Sequence, residues 1–281
     1  MKRLIVIIIG IATACSMMAA DADSAFVTKA LKEAQRLPSA TNFPLHFARL
    51  FIGRPYVAHT LEVADPERLV VNTRQLDCTT LVENVTALTL CVYRQRLAYS
   101  DFKKHLREIR YRGGKLNGYT SRLHYFTAWI DDNARRGIVS EVSQTTAPFS
   151  AIQTVKVNYM SQHPQSYKAL KAHPEMVSVI AAQEDALTGR RYRYIPKNGV
   201  VDSKAMRAAV HDGDIIAITC SKPGLDIAHL GFAVWRRDGL HLLNASQLHK
   251  KVVEEPMTLK EYLKKHPSHT GIRIVRIEKT N

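Results

Sequence analysis

Three residue types that can together perform nucleophilic catalysis stand far apart in the sequence, at Cys78, His229 and Asn244. Cys78 opens an apolar run with helical spacing, so the pattern predicts that it is the first residue of a buried helix. Unpaired backbone N–H groups and the positive end of the helix dipole at that position favour a thiolate. The sequence therefore predicts a cysteine nucleophile, and the alternative is an inert structural cysteine.

Two predicted strands supply the other two side chains. Residues 226–235 stay apolar or alternate as strands do, and the Asp238-Gly239 pair that follows is a hairpin signal. His229 then opens one strand, and Asn244 lies on its antiparallel neighbour at a distance that lets the side chains face each other. A nucleophile on a helix, a base on a strand and a polar group that orients the base form the arrangement of papain-like enzymes.

Four motifs in this order resemble the hallmarks of the NlpC family of bacterial cell-wall cysteine hydrolases. Within that family the chain is most similar to the branch called N-acetylmuramoyl-L-alanine amidase-like. The motifs are Gly-Arg-Pro-Tyr-Val-Ala at 53–58, Leu-Asp-Cys-Thr-Thr-Leu-Val at 76–82, His-Leu-Gly at 229–231 and Leu-Asn-Ala-Ser at 243–246. The sequence departs from the family pattern at Thr80, where many relatives have glycine, and in the long stretch between Cys78 and His229.

The resemblance implies an α+β fold with a papain-like core, in which the helix that bears the nucleophile packs on a small antiparallel sheet. It also implies hydrolysis of the amide bond between the lactyl group of N-acetylmuramic acid and L-alanine, in soluble muropeptides. Other NlpC relatives instead cut between γ-D-glutamate and the diamino acid, so an endopeptidase is one alternative. A cell-wall binding module that keeps the fold without the chemistry is another.

Four further residues are candidates for substrate binding. In the resembled family the tyrosine at the position of Tyr56 lies over the cleft. Arg112 and Tyr119 lie in a loop with three glycines that has the means to pair with a carboxylate and to stack on a sugar ring. His124 can face the cleft from a helix. For each of these residues an ordinary structural or solvated role is the alternative.

Other chemistries have weaker support in the sequence. Twelve histidines are present, but no H-x-x-x-H, H-E-x-x-H or paired Cys-x-x-Cys spacing occurs, so we expect no metal and no cofactor. The G-x-S-x-G motif that would indicate a serine hydrolase does not occur. His241 and His249 lie near Asn244 in sequence, and either is the alternative residue that orients His229.

The remaining cysteines allow one alternative to a reactive thiol. Cys91 follows Cys78 on the same predicted helix and is expected to be part of the core. Cys220 ends a predicted strand near the candidate site. A Cys78–Cys220 disulfide would leave no nucleophile.

The N-terminus has the three-part pattern of a secretory signal peptide over residues 1–22. Cleavage after Ala14, Ala20 or Ala22 fits the pattern, and cleavage before Cys15 would allow lipid attachment and so a membrane anchor. We therefore expect export to the periplasm or cell envelope. The rest of the chain, residues 23–281, is expected to be a single domain with a helical insertion at about 101–190.

The chain is strongly basic, with a formal net charge of +15 and a pI near 9.8. Its cations are scattered and no nucleic-acid motif accompanies them, so nucleic acid is not an expected partner. Peptidoglycan fragments, whose peptide stems carry carboxylates, are the expected partner. A merely solvated basic surface is the alternative.

Periodicity and turn residues predict the elements that position these groups. Helices are expected at 24–36, from 78 to about 97, and at 258–265. Two helices are expected within 101–135, the second of them capped by Ser121. Two more are expected within 164–187, separated by a break at 173–174. Strands are expected at 69–72, 191–196, 215–219, around His229 and Asn244, and at 271–277, where the last one closes the sheet.

Overall fold

The computed structural model describes residues 20–279. Most of the predicted signal peptide, with Cys15, lies outside the described residues. Within residues 20–279, no helix combines the length and the apolar character needed to cross a bilayer.

Helices and strands alternate irregularly along the chain. The α-helices are α1 (20–34), α2 (Phe43–Leu50), α3 (Cys78–Tyr93), α4 (Tyr99–Arg110), α5 (Phe126–Arg135), α6 (Tyr159–Gln162), α7 (Lys168–Ala172), α8 (Met176–Leu187), α9 (Lys204–Ala209) and α10 (Leu259–Lys265). The strands are β1 (Val139–Val142), β2 (Ala151–Thr154), β3 (Arg191–Pro196), β4 (Ile215–Cys220), β5 (Ile227–Arg236), β6 (Gly239–Ser246), β7 (Lys251–Glu254) and β8 (His269–Ile277).

The strands form one antiparallel sheet in the order β2-β3-β8-β4-β5-β6-β7, and β1 also pairs with β8. Helices and an antiparallel sheet in one chain confirm the predicted α+β class. The hairpin signal is also confirmed, because Arg236 pairs with Gly239 across a loop of two residues, 237–238. The last predicted strand is β8, and it joins the sheet in the middle, between β3 and β4.

Both faces of the sheet are buried. Along β4, Ile215 and Ala217 belong to one apolar cluster, and Ile216 and Ile218 belong to the other. The first cluster includes the apolar face of α3, and the second includes apolar residues of α9 and α10. Burial on both faces explains why this strand reads as a continuous apolar run. The sheet is therefore a middle layer, and α3 lies on one side of it.

Several predicted elements agree with the structure and three do not. The break at 173–174 separates α7 from α8, and the predicted strand at 191–196 is β3. No strand forms at 69–72, because side chains satisfy the backbone there: Arg110 Nη1 donates to Val70 O at 2.6 Å and Asn84 Nδ2 donates to Asn72 O at 3.2 Å. The helix from Cys78 ends at Tyr93 instead of about 97.

The helix expected from Ser121 begins later, at Phe126. Residues 119–121 form a short 3₁₀ turn instead. The first turn of α5 is satisfied by a distant residue, because Thr127 N donates to the Asp226 carboxylate at 2.7 Å. The region 101–190, predicted to be helical, also contains β1 and β2, which pair with β8 and β3.

Candidate active site

Cys78 lies in a cleft at the start of α3 and is half-buried. The cleft has a volume of about 170 Å³, and His124, Asp226 and His229 line it together with Cys78. Asp77 caps the helix, because its carboxylate accepts from Thr80 N at 2.8 Å. The cap holds the first turn of α3 in place beneath the cleft.

The Gly-Arg-Pro-Tyr motif supports the chain that leads to Cys78. Leu76 N donates to Pro55 O and Val57 N donates to Leu76 O, both at 3.0 Å. On the other side of the motif, Tyr56 N donates to Lys250 O at 2.9 Å. The motif therefore joins the segment before α3 to the chain at β7.

The structure brings His229 and Asn244 together, with His229 Nε2 and Asn244 Oδ1 3.0 Å apart. The two residues lie on neighbouring strands, β5 and β6. Gly231 allows this close strand approach, because a Cβ at that position would lie 2.6 Å from Leu243 O and 2.7 Å from Leu242 Cδ1. The predicted base and the predicted orienting group are therefore in direct contact.

A buried glutamate behind this pair was not predicted. Glu255 Oε1 accepts from Asn244 Nδ2 at 3.0 Å, and Glu255 Oε2 lies 3.1 Å from His249 Nε2. His249 therefore contacts Glu255, and His241 contacts the Glu255 carbonyl at 2.9 Å. The polar partner of His229 is Asn244, as predicted. A prediction of β7 from the sequence would have indicated this position of Glu255, because β7 returns the chain beside β6 and ends just before Glu255.

Burial raises the pKa of the Cys78 thiol to about 12, and the nearby Asp77 carboxylate adds to the shift. Hydrogen bonds from the Leu230 and Thr79 backbone and the Thr79 hydroxyl oppose the shift without reversing it. Burial also lowers the pKa of His229, and its bond to Asn244 opposes that change. Both shifts favour the neutral form of each group, which runs against the expectation that the helix start favours a thiolate.

Two tyrosines lie near enough to Cys78 for its charge to influence their pKa. Tyr56 is half-buried, and its pKa is raised by burial and by the charges of Cys78 and Asp77. Tyr262 in α10 was not predicted as a site residue. Its ring centroid lies 6.3 Å from that of His229, and burial, Glu255 and Cys78 all raise its pKa. Both phenols therefore stay protonated and can donate hydrogen bonds.

His124 lines the cleft as predicted, and burial lowers its pKa to about 3. Its Nε2 lies 3.1 Å from Tyr119 O. A carbonyl only accepts, so Nε2 carries the proton and Nδ1 is left as an acceptor. Nearby, Glu184 Oε1 accepts from Tyr125 OH at 2.6 Å and from Met160 N at 3.0 Å, which fixes two further residues of the cleft wall.

Residues 46–272 match the sequence family described as AmiA-like, N-acetylmuramoyl-L-alanine amidase-like. This match covers most of the chain. The chain belongs to the N-acetylmuramoyl-L-alanine amidase-like family. A comparison with curated proteins gave no significant match.

Solved structures support this membership. A protein of Bacteroides uniformis described as an N-acetylmuramoyl-L-alanine amidase is 42% identical, with a TM-score of 0.78, over 84% of this chain and 97% of that one. A Bacteroides fragilis protein provisionally described as a xylanase is also 42% identical, with a TM-score of 0.78, over 83% and 100%. A Legionella pneumophila protein, 21% identical with a TM-score of 0.71 over 93% and 96%, shows the same fold.

Of the four predicted substrate residues, His124 lines the cleft of this amidase-like protein, and Tyr56, Arg112 and Tyr119 do not. Arg112 is exposed and donates to Gln183 Oε1 at 2.9 Å, in a separate groove between α5 and α8. The loop is held there because Gly113 N donates to Asp132 Oδ2 at 2.8 Å. Tyr119 is buried behind His124, with 4.5 Å between the ring centroids.

The alternatives to a reactive thiol at Cys78 can also be compared with the amidase-like structure. Cys78, Cys91 and Cys220 are all free, which excludes the Cys78–Cys220 disulfide. Cys91 is fully buried, as expected. Among residues 20–279, no group of three or more His, Cys, Asp or Glu side chains has the geometry of a metal site.

A larger groove, of about 890 Å³, lies at the far end of α3 beside Tyr93 and Lys279. It contains none of the predicted catalytic or substrate residues. The chemistry of the side chains therefore places the candidate site in the smaller cleft.

Proposed function

We propose that this protein is a cysteine-dependent peptidoglycan amidase with an NlpC-type, papain-like core, and that it hydrolyses the N-acetylmuramoyl-L-alanine bond of soluble muropeptides. The observation that carries the proposal is the 3.0 Å contact between His229 Nε2 and Asn244 Oδ1 in the cleft that contains Cys78. Family membership and the similar structure described as an amidase support the choice of bond.

In the proposed reaction the nucleophile is generated as it attacks. His229 Nδ1 accepts the thiol proton while Cys78 Sγ bonds to the lactyl carbonyl carbon. The tetrahedral intermediate collapses as the C–N bond breaks, and His229 gives the proton to the leaving amine of L-alanine. A water molecule, deprotonated by His229, then hydrolyses the thioester, releases the muramoyl carboxylate and restores the thiol.

The oxyanion of the tetrahedral intermediate needs hydrogen-bond donors near Cys78 Sγ. The Cys78 backbone N–H lies at the first position of α3, where no intrahelical acceptor exists. Tyr56 is the second donor in this proposal, because its phenol stays protonated near the thiol. Each such donor is typically worth about 10²–10³ in kcat.

The cleft wall presents two acceptors to the substrate. His124 offers the lone pair on Nδ1, because its Nε2 is occupied by Tyr119 O. The Asp226 carboxylate also lines the cleft and is held by Thr127 N. We assign both to hydroxyl or amide N–H groups of the muramoyl sugar. Tyr119 acts behind His124 by fixing its ring, and Arg112 is available only to a substrate that extends beyond the cleft.

A glycosidase fits the cleft less well. Glycoside hydrolysis normally needs two carboxyl groups that flank the scissile bond. Among the described residues that line the cleft, Asp226 is the one carboxylate, and its Oδ2 is already bonded to Thr127 N. The similarity to the protein provisionally described as a xylanase therefore does not support a second function for this protein.

The test is mass spectrometry of the products from MurNAc-L-Ala-γ-D-Glu-diaminopimelate. The proposal predicts free MurNAc and the intact tripeptide. Release of the diamino acid would instead support the endopeptidase, and an untouched substrate would support a binding module. Asp226→Asn and His124→Phe should raise KM about tenfold for this substrate, as loss of one or two sugar hydrogen bonds implies.

Export to the periplasm or cell envelope is part of the proposal, because that is where an exported hydrolase meets muropeptides. The mass of the mature protein tests it. Removal of residues 1–22, or of a shorter piece ending at Ala14 or Ala20, supports export, and an added lipid mass would place the anchor at Cys15. A full-length mature chain contradicts export through this signal.

A further inference from the structure

A buried carboxylate lies directly behind the amide of Asn244. The Glu255 side chain is 1% exposed, and its Oε1 accepts from Asn244 Nδ2 at 3.0 Å. The backbone of the glutamate is also held, because its N–H donates to Leu242 O at 2.8 Å and its carbonyl accepts from His241 Nδ1 at 2.9 Å. With His249 Nε2 3.1 Å from the other carboxylate oxygen, Glu255 has a fixed position relative to Asn244.

The direction of each hydrogen bond in this chain follows from what the groups can donate. A carboxylate accepts, and a side-chain amide has one donor end and one acceptor end. Because Glu255 takes the donor end of Asn244, the acceptor Oδ1 faces His229 Nε2. Nε2 must then carry the imidazole proton. The lone pair of His229 is left on Nδ1, the nitrogen that accepts the thiol proton of Cys78 in the proposed reaction.

We propose that Glu255 is a positioning residue that fixes the amide of Asn244 and, through it, the imidazole tautomer of His229. The role in catalysis rests on the proposed function, but the tautomer can be measured on the free protein. In a serine protease, placing the base in the wrong tautomer costs about 10⁴ in kcat. A carboxylate that excludes the wrong tautomer can therefore have a large effect on kcat without contacting the substrate.

Glu255 also acts on the basicity of His229 through its charge. Its negative charge favours the imidazolium and opposes the effect of burial. The other titratable groups that face this ring come from the start of α3, from α10 and the residue after it, and from β8. These groups are Asp77, Cys78, Tyr262, His266 and His269. Removing the charge of Glu255 while keeping these groups should lower the pKa of His229.

The experiment is ¹⁵N NMR of the His229 imidazole, assigned by comparison with His229→Gln, together with steady-state kinetics. The wild type should carry its proton on Nε2. Glu255→Gln, which can donate as well as accept, should populate both tautomers. Glu255→Asp, which only accepts, should restore the single tautomer. Glu254→Gln is the matched control, because this neighbouring glutamate bonds to Arg49 and Arg236 on the surface instead.

With a muropeptide substrate, Glu255→Gln should lower kcat at least about tenfold with little change in KM, as expected for a weakened general base. The acidic limb of kcat/KM should also move to lower pH, and the control should show neither change. A wild-type His229 protonated on Nδ1, or a Glu255→Gln protein with an unchanged tautomer and pH profile, overturns the proposal. If the tautomer responds as expected but no muropeptide is cut, the proposed function fails and the positioning role stands.

Discussion

The pKa shifts of Cys78 and His229, which line the same cleft, favour a neutral thiol and a neutral imidazole in the free protein. With a thiol pKa of about 12, the thiolate fraction at pH 7 is on the order of 10⁻⁵. Because burial outweighs the backbone donors at the start of α3, the mechanism that we propose forms the nucleophile by proton transfer to His229 during attack. This differs from an enzyme that holds a preformed thiolate–imidazolium pair.

Alkylation by iodoacetamide should report this difference. At pH 7, Cys78 should react about 10²-fold more slowly than a model thiol, since its low thiolate fraction is only partly offset by the higher nucleophilicity of a basic thiolate. The rate should rise about tenfold per pH unit to pH 10. Cys78→Ala provides the background from Cys91 and Cys220. A fast rate with a plateau near pH 7 would show a preformed thiolate.

At the scale of residues, the sequence shows which side chains could take part in catalysis better than it shows which side chains are buried. Cys78, His229 and Asn244 were predicted because their types and their placement on a helix and two strands indicate a catalytic set. Glu255 was not, because the second of two adjacent glutamates has no pattern that distinguishes a buried carboxylate from a solvated one. Its burial depends on β7, which the sequence analysis did not predict.

Thr80 has a structural role at the start of α3. Its Oγ1 accepts from Asp77 N at 2.9 Å, while Thr80 N donates to Asp77 Oδ1 at 2.8 Å, which completes a capping box. Thr80→Val should lower the free energy of unfolding by about 1 kcal/mol, because it removes the side-chain half of the box. Chemical denaturation measures this. Thr80→Ser keeps the hydroxyl and should stay near wild type, so equal losses in both variants would contradict the capping role.

The segment 57–76 has no helix or strand, and Arg122 helps to hold it. Its guanidinium donates to Glu62 at 2.6 Å and to Glu67, and the arginine and Glu67 are almost fully buried. Arg122→Leu should lower the free energy of unfolding by about 3–5 kcal/mol, because it leaves the buried Glu67 carboxylate without a cation to pair with.

The control for Arg122 is Arg207→Leu. Arg207 forms an equally short pair with Asp202 at 2.6 Å, but both side chains are 40% exposed or more. Its loss should have little effect on the free energy of unfolding, because water screens an exposed ion pair. Similar losses in the two variants, measured by urea unfolding, would show that burial does not set the strength of the Arg122 cluster.

At the scale of elements, errors arise where a distant residue satisfies the backbone. The start of α5 depends on Asp226, 99 positions later, so no local cap at Ser121 could predict it. Residues 69–72 have the β propensity of a strand, but Arg110 and Asn84 take the carbonyls that a neighbouring strand would need. The sequence pattern of a segment predicts its secondary structure only when the groups that bond to its backbone lie close to it in the sequence.

At the scale of the whole molecule, the sequence predicts the class of the fold but not the order of the strands. The antiparallel α+β character follows from the hairpin and the helical runs. The central place of β8, between β3 and β4, joins the last segment of the chain to its middle. Such long-range pairing has no signature in a single sequence, because apolar strands in a sheet buried on both faces are alike.

Buried histidines should make the folded protein sensitive to acid. Burial lowers the pKa of His124 to about 3 and of His269 to about 4, and also lowers that of His229. The unfolded chain takes up these protons near pH 6.5, whereas the native chain does not. Stability is therefore present above pH 6.5 and is lost as pH falls from there toward 4.

We expect Tm to fall by roughly 5 °C between pH 7 and pH 5. His269→Asn should reduce this fall, since it removes one buried titrating ring. His173→Asn is the control, because His173 is a surface residue whose pKa is raised by Asp65. A Tm that is constant over this range, measured by calorimetry, would contradict the neutral buried histidines.

The most direct test of the account is intact-protein mass spectrometry of the acyl-enzyme, after acid quench of a reaction with MurNAc-L-Ala-γ-D-Glu-diaminopimelate. The account predicts a thioester on Cys78 with the mass of the muramoyl acyl group alone, and neither adduct nor turnover in Cys78→Ala. An adduct that retains L-alanine and glutamate, or turnover by Cys78→Ala, would contradict it.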